Sequence, residues 1–516
     1  MPGFWQDAVE DPDRLAVVDP DGNEITAGDL LALCNQLTHG LRAQGLVAGD
    51  GIAVVMPNGI ELMALYFAAM QSGWYFTPIN HHLVGPEIAY IVDDCDAKVF
   101  IGHERFADAC AAAAEEFSLP PEACFAVGAV PGFRPLAELT DGQPTTAPDE
   151  RTAGQPMNYT SGTTGKPKGV RRQLSGIAPD DAGMLFTFLL QMFGIAPGDG
   201  HVHICGSPLY HTAVLAFASS SVHLGHPVVL MDKWTPEGML ERIDRYDVTH
   251  SHMVPTQFNR LLALPDDVKA RYDVSSLRNI IHAAAPCPID VKRRMLEWWG
   301  PVIYEYYAAT EGGGTLISAE EWLERPGSVG TAWPSSEIRI LDDDGVDVPT
   351  GEEGTVYMKL ASAAFEYHKN AESTAANRRE GFFTVGDVGY LDEGGYLFLC
   401  DRKSDMIISG GVNIYPAEIE GVLVAHPLVA DAAVYGIPDE EFGEAVMASV
   451  ELIDPDAVVD ADGVLADLEA HCREHLAGYK VPRRMEVLDK LPRQPTGKLY
   501  KRLLRDPHWE GTGRTI

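Results

Sequence analysis

Residues 159–169 read YTSGTTGKPKG, and these eleven positions hold three glycines, four Ser/Thr hydroxyls and two lysines. Almost nothing in the stretch is apolar, so it cannot bury itself and belongs on an exposed loop between ordered segments. Gly162, Gly165 and Gly169 let backbone N–H groups converge on one point, and Thr160, Ser161, Thr163 and Thr164 add hydroxyl donors. Lys166 and Lys168 bring positive charge. A polyphosphate is the ligand that suits such an array. A flexible Gly/Ser/Thr linker shares the composition, but linkers rarely end in Lys-Pro-Lys-Gly. A Walker P-loop needs Gly-Lys-Ser/Thr, whereas here Gly165-Lys166 is followed by Pro167.

Further chemistry-bearing residues follow in series. His211 stands in PLYHT at 208–212, after a strand pattern at 202–207, and α/β sheets place ligands at the carboxyl ends of strands. A lone histidine is as readily structural. HAAAPCP at 282–288 follows a strand pattern at 277–281, and Ala283, Ala284 and Ala285 lack the bulk that would keep a flat ring off the backbone. Cys287 in the same stretch reads as a small half-buried thiol, since no histidine follows it at a spacing that would activate a nucleophile. YEYYAATEGGGT at 304–315 carries Tyr307, Thr310 and Glu311 ahead of Gly312 and Gly313. FFTVGD ends on Asp387, and DRKSDMIISGGVN from 401 holds Arg402, Ser404, Gly410 and Gly411. Finally, LPRQPTGKLYKR at 491–502 puts Lys498 in a Thr-Gly-Lys turn.

In order and spacing these stretches resemble the signature motifs of the adenylate-forming superfamily: acyl-CoA synthetases, adenylation domains of peptide synthetases, and luciferases. The resemblance spans essentially the whole chain. The AAAPCP and EYYAATE variants look closest to actinobacterial-type fatty-acid and related carboxylic-acid ligases. The resemblance implies a phosphate loop running from Thr160 to Lys168, and adenine held between Ala283–Ala285 and Tyr307. It implies Thr310 at the α-phosphate, Glu311 on the Mg²⁺ that accompanies ATP, and Asp387 and Arg402 on the ribose. It further implies a hinge with Ser404 at its pivot, Gly410-Gly411 beside the CoA pantetheine arm, and Lys498 as a mobile catalytic lysine. Phe258, after Val254-Pro255-Thr256, resembles the aromatic gate of fatty-acyl synthetases. With His211, Gly312, Gly313 and the small residues at 218–221, it is expected to line or border the acyl pocket; three adjacent glycines suggest room for a long or bulky acid. Two positions depart from the pattern, Ala308 replacing a glycine and Ser404 standing where many relatives carry Asp or Lys.

The implied reaction has two steps. A carboxylate attacks the α-phosphorus of MgATP to give acyl-adenylate and pyrophosphate; the small domain then swings and the CoA thiol displaces AMP. Three other readings stay open: a stand-alone adenylation enzyme that loads a carrier-protein thiol, a luciferase-like oxygenase, and a non-catalytic nucleotide-binding regulator.

The elements that must position these residues read as α/β. An Asp-Gly hairpin signal at 13–26 precedes helical spacing at 27–45, and short β-branched runs at 51–56, 75–79 and 98–101 alternate with a helix at 61–72. Residues 120–156 read as irregular. From 336 to 400 the pattern turns to antiparallel strands, and the acidic LDDDGVD at 341–347 reads as an Asp-Gly turn, not a calcium loop. The expected architecture is a large N-terminal domain of α/β sheets with a β-rich subdomain at 1–400, a hinge at 401–405, and a smaller mobile α+β domain at 406–516. At 516 residues more than one domain is required. A net charge of −36 argues against binding nucleic acid or anionic membrane non-specifically. Eight single cysteines without a CxxC pair, and no apolar N-terminal segment, suit a cytoplasmic protein with no transmembrane span and at most peripheral membrane contact. The expected partners are therefore a carboxylic acid, ATP and CoA, with a homodimer as the one self-association allowed for.

Overall fold

The computed structural model describes residues 3–160, 167–309, 312–334, 336–360, 365–402, 405–410, 412–439, 442–454, 461–493 and 499–510. Contacts divide the chain into two units, the first made of Met1–His252, Ser276–Asn279 and Ser362–Ala376, the second of Met253–Ser275, Ile280–Ala361 and Asn377–Ile516.

The first unit contains a wholly parallel six-stranded sheet in the order Arg134–Pro135, Cys124–Val127, Ala97–His103, Gly51–Val54, Tyr75–Pro78 and Gln155–Pro156. Its central strands are mostly buried and largely apolar because each face meets a core. Ile52, Val54, Phe76, Val99 and Ile101 enter one cluster, while Ala53, Val55, Tyr75 and Phe100 enter another. The helix Ala27–Ala43 covers the first of these. Thr26 caps it by accepting from the Asp29 N–H (3.2 Å), and Leu30, Leu37 and Leu41 are buried at helical spacing. Residues 120–156 are more regular than their composition indicates. Cys124–Val127 pairs with Ala97–His103, with Phe125 wholly buried, and four apolar residues between turns are too short a run to declare a strand beforehand. Parallel pairings also join Leu15–Val18 to Val228–Leu230, and Val228–Leu230 to His203–Cys205.

In the second unit, Ile303–Ala308 lies parallel to Asn279–His282 and antiparallel to Gly314–Ile317. The antiparallel run continues through Ser328–Ala332, Leu397–Arg402, Asp387–Leu391 and Gly354–Leu360. Between Ser336–Leu341 and Gly354–Leu360 the chain makes a tight turn in which Asp342 Oδ1 accepts from the Val346 N–H (2.8 Å) and Gly345 adopts φ +80°. Towards the C-terminus, Val429–Asp439 and Gly443–Leu452 form a long antiparallel pair, with Arg484–Val487 added parallel. Pro416–Val424 and Ala461–His475 close a small core with them, built on Ile419, Leu423, Val434, Val450 and Leu468. Among the described residues no helix is long and apolar enough to cross a membrane.

Candidate active site

In the first unit, the phosphate-loop motif sits on a β-hairpin. Asn158–Thr160 runs antiparallel to Lys168–Arg172, with Thr160 opposite Lys168 and Gly169 opposite Tyr159. A third strand, Phe365–Tyr367, pairs on the far side of Lys168–Arg172, with Val170 opposite Tyr367. Tyrosine hydroxyls pin the hairpin: Tyr159 donates to Asp94 (2.6 Å), Tyr90 to the Pro167 carbonyl (3.2 Å) and Tyr75 to the Arg172 carbonyl (3.0 Å). Gly169 is required by packing, because a Cβ there would come 2.9 Å from the Tyr159 ring. The Lys168 ammonium lies 5.4 Å from the centre of the Tyr367 ring. The base of the loop is therefore rigidly paired. Ser161, Gly162, Thr163, Thr164, Gly165 and Lys166 lie outside the described residues, as does the side chain of Thr160.

His211, also in the first unit, precedes the helix Thr212–His223 as its N-cap residue. Its ring meets Tyr210 at 4.2 Å between centroids, and its Nε2 is buried with no hydrogen-bond partner among the described residues. Burial above all, with His81, His252 and His82 nearby, pushes its pKa down to about 3, so the imidazole is neutral at pH 7. The small residues 218–221 are spent on packing. Ser219, Ser220 and Ser221 donate to the carbonyls of Ala216, Phe186 and Phe217 and are buried.

The second unit brings together three motifs that are far apart in sequence. The Tyr307 hydroxyl donates to Asp387 Oδ2 at 2.6 Å across 80 positions, and Asp387 is the cross-strand neighbour of Arg402. The side chain of Arg402 lies outside the described residues. Ala283 is buried, Ala285 half-buried and Ala284 exposed, with Ala284 held at φ +73°, a conformation most side chains avoid. The elements on either side of them contribute to a polar cluster that motif reading does not register. Lys292, wholly buried, donates from Nζ to Glu305 Oε2 at 2.7 Å, and His282 Nε2 lies 3.4 Å from the same oxygen. The available signal was a charge inside an otherwise apolar strand pattern, IYEYYA at 303–308.

Phe258 is wholly buried, packed against His282 (5.2 Å between ring centres) and Trp299 (6.3 Å). Gly312 and Gly313 adopt φ +119° and +78°, and a Cβ on Gly314 would stand 2.3 Å from the Tyr307 carbonyl. Backbone geometry by itself therefore favours glycine at all three positions. Cys287 is no nucleophile in waiting, since burial, reinforced by Glu305, pushes its thiol far above the usual range. Gly410 takes φ +58° and donates its N–H to the Phe442 carbonyl (2.8 Å). Thr310, Glu311, Ser404, Gly411 and Lys498 lie outside the described residues.

The chain matches the AMP-binding enzyme family over residues 4–368 and the family's C-terminal domain over 418–498. It is 31% identical over 509 residues to a long-chain-fatty-acid–CoA ligase of Mycobacterium tuberculosis, covering 98% of this chain and 97% of that one. Identity to a fatty acid–[acyl-carrier-protein] ligase of Streptomyces coeruleorubidus is also 31%, over 518 residues, 99% of this chain and 96% of the other. Among solved structures, the o-succinylbenzoate-CoA synthetase of Bacillus subtilis with its acyl-adenylate matches with a TM-score of 0.81 at 28% identity, over 98% of both chains. The chain therefore belongs to the AMP-binding enzymes of the adenylate-forming superfamily. By reaction class it is an AMP-forming acid–CoA ligase, with ATP and CoA as its co-substrates.

Proposed function

We propose that this enzyme activates a medium- or long-chain fatty acid, or an acid of comparable bulk, as acyl-AMP and transfers the acyl group to CoA. The observation that carries the nucleotide part is the meeting of Tyr307, Asp387 and Arg402 at one place, since the resemblance assigns all three to the nucleoside. The acyl part is supported by the long-chain-fatty-acid–CoA ligase relative. Ala283–Ala285 and Tyr307 hold the adenine, Asp387 and Arg402 the ribose, and the residues from Thr160 to Lys168 the departing phosphates. Thr310 bonds the α-phosphate. Glu311 is assigned to Mg²⁺, whose preferred donors are carboxylate oxygens. Lys498 offsets charge building on the reacting oxygens, and no protein nucleophile takes part. Residues 401–405, pivoting at Ser404, then swing 406–516 against 1–400, withdrawing Lys498 and presenting Gly410-Gly411 to the pantetheine arm. His211, Phe258, Gly312 and Gly313 are assigned to the neighbourhood of the acyl chain, where a neutral His211 suits an apolar ligand. Eight free thiols support a cytoplasmic location.

Half-reaction assays test this reading. Lys498→Ala is expected to lose on the order of 10²–10⁴ in adenylation rate yet convert supplied acyl-adenylate and CoA at the parental rate. Gly411→Leu should do the reverse and accumulate acyl-adenylate. Equal slowing of both steps in Lys498→Ala overturns the alternation. A panel of carboxylic acids scored by AMP release identifies the acid. The second reading, transfer to a carrier-protein thiol, has the Streptomyces coeruleorubidus relative in its favour; thioester formed on a carrier protein in place of CoA would establish it.

A further inference from the structure

The segment 283–288 joins the strand Asn279–His282 to the helix Ile289–Trp299. Both of its ends reach one carboxylate. His282, the last residue before the segment, is the register partner of Glu305 in the parallel pair, and its Nε2 lies 3.4 Å from Glu305 Oε2. Lys292, in the first turn after the segment, places Nζ 2.7 Å from that same oxygen. Glu305 in turn sits two positions before Tyr307 in the strand Ile303–Ala308, so strand alternation puts both on one face. One side chain therefore connects both ends of the small-residue segment to the strand that carries the tyrosine.

This connection is an expensive one. Lys292 is wholly buried, with its ammonium 4.7 Å from the centre of the Trp322 ring, and Glu305 is 7% exposed. Burial raises the Glu305 carboxyl, and the Lys292 charge and hydrogen bond oppose the rise. An ion pair in such a place stabilises a fold no better than apolar side chains of the same volume, and its best-attested use is to select one arrangement over its neighbours. An arrangement in need of selection follows two residues after His282 in the chain, where Ala284 is held at φ +73° with its side chain exposed. A strained non-glycine residue persists only where its surroundings over-determine it.

The geometry points to Glu305 and Lys292 as positioning residues that hold the 283–285 ledge and Tyr307 at the separation a purine ring requires. This rests on the assignment of 283–285 and Tyr307 to the adenine. Neither residue touches substrate. Their contribution is to nucleotide-base recognition and not to the reacting phosphorus.

The test is the paired variant Lys292→Met/Glu305→Leu, which keeps the volume and removes both charges. It is expected to melt at or above the parental temperature. The KM for ATP should rise about tenfold or more, with kcat and the KM for the acid within about threefold of parental values. Discrimination between ATP and GTP, measured as a ratio of kcat/KM values, should fall, which a loss of general stability would not produce. Lys292→Arg, which retains the pair, should recover most of the ATP affinity. If the double variant fails to fold, Glu305→Gln, nearly the same shape, carries the test with an expected rise in KM for ATP of at least threefold. Ala284→Leu separates the two levels of inference. An unchanged KM for ATP in Ala284→Leu removes the adenine assignment and the proposal together. A raised KM there, with parental ATP affinity and base discrimination in the charge-free pair, removes the proposal alone.

Discussion

In the first unit, His201, His203, His226 and His250 crowd together, with ring centres 5.4 Å (201–226), 5.3 Å (201–250) and 4.7 Å (203–250) apart. In the second, Lys292 and Glu305 share a comparably dry interior at 2.7 Å. The imidazoles stay neutral there. Burial, helped by neighbouring imidazoles, pushes His203 down to about 3, and burial takes His226 to about 4 against the opposing pull of Asp199. Hydroxyls satisfy part of the cluster, Thr249 bonding His201 (2.7 Å) and Ser221 bonding His250 (2.9 Å). The second unit keeps its charges and matches them. A neutral polar interior loses less on removal of one member but is sensitive to protons, whereas a paired one behaves in the opposite way.

Acid should break the symmetry most forcefully. An unfolded histidine takes its proton near pH 6.5, while these folded ones resist until about 3 to 4, so the unfolded chain binds more protons throughout that window. The stability they contribute is intact above about pH 6.5 and is lost as pH falls, at roughly 1.4 kcal/mol per unit for each group. His203 and His226 alone remove about 4 kcal/mol by pH 5, and His211, His223 and His252 act in the same direction. Amide hydrogen exchange at pH 7.5 and pH 5 should show protection falling first in the first unit. Equal losses in both units would end the contrast.

Removing one charge in the second unit comes next in size. Glu305→Ala leaves Lys292 buried without its partner and should cost about 3–5 kcal/mol in urea unfolding at pH 7.5. A loss under about 1 kcal/mol would mean that water reaches the ammonium. His250→Leu is the matched experiment in the first unit and should cost only about 1–2 kcal/mol at pH 8, the Ser221 hydrogen bond being the main loss. At pH 5 its penalty should shrink, because one fewer imidazole has to be kept neutral; a penalty that grows with acid contradicts the sign. The smallest effect is expected at Cys287, whose thiol beside the ion pair is held neutral. Cys287→Ala should leave turnover within a few-fold, and a trapped acyl-enzyme that vanishes in this variant would overturn catalysis through acyl-AMP.

The residues themselves show why some of this was legible in advance. The 159–169 motif could be read because glycine, hydroxyl and lysine enrichment is a property of contiguous positions, and nothing else needs to be known to see a phosphate loop in it. The hairpin, the helices and the short buried strands of the first unit were visible in an Asp-Gly turn, a period of 3.6 and contiguous β-branched runs, all of which neighbouring residues carry. The strand Cys124–Val127 was not, since pairing with Ala97–His103 and not its own pattern makes it a strand. The glycines at 312–314 were visible as a run, but composition cannot reveal that φ is +119° at one and +78° at the next.

By itself, then, the sequence determined the order of the motifs and the α/β character, which are written in local composition and spacing, and it carried the reaction class through the family resemblance of those motifs. Only the tertiary structure decided that Tyr307 bonds Asp387, that Asp387 faces Arg402, and that Glu305 gathers His282 and Lys292. The physical reason is register. Asp387 meets Arg402 and His282 meets Glu305 because strand pairing brings them level, where a one-residue slip would turn a side chain to the opposite face, and Lys292 reaches Glu305 only through the packing of its helix.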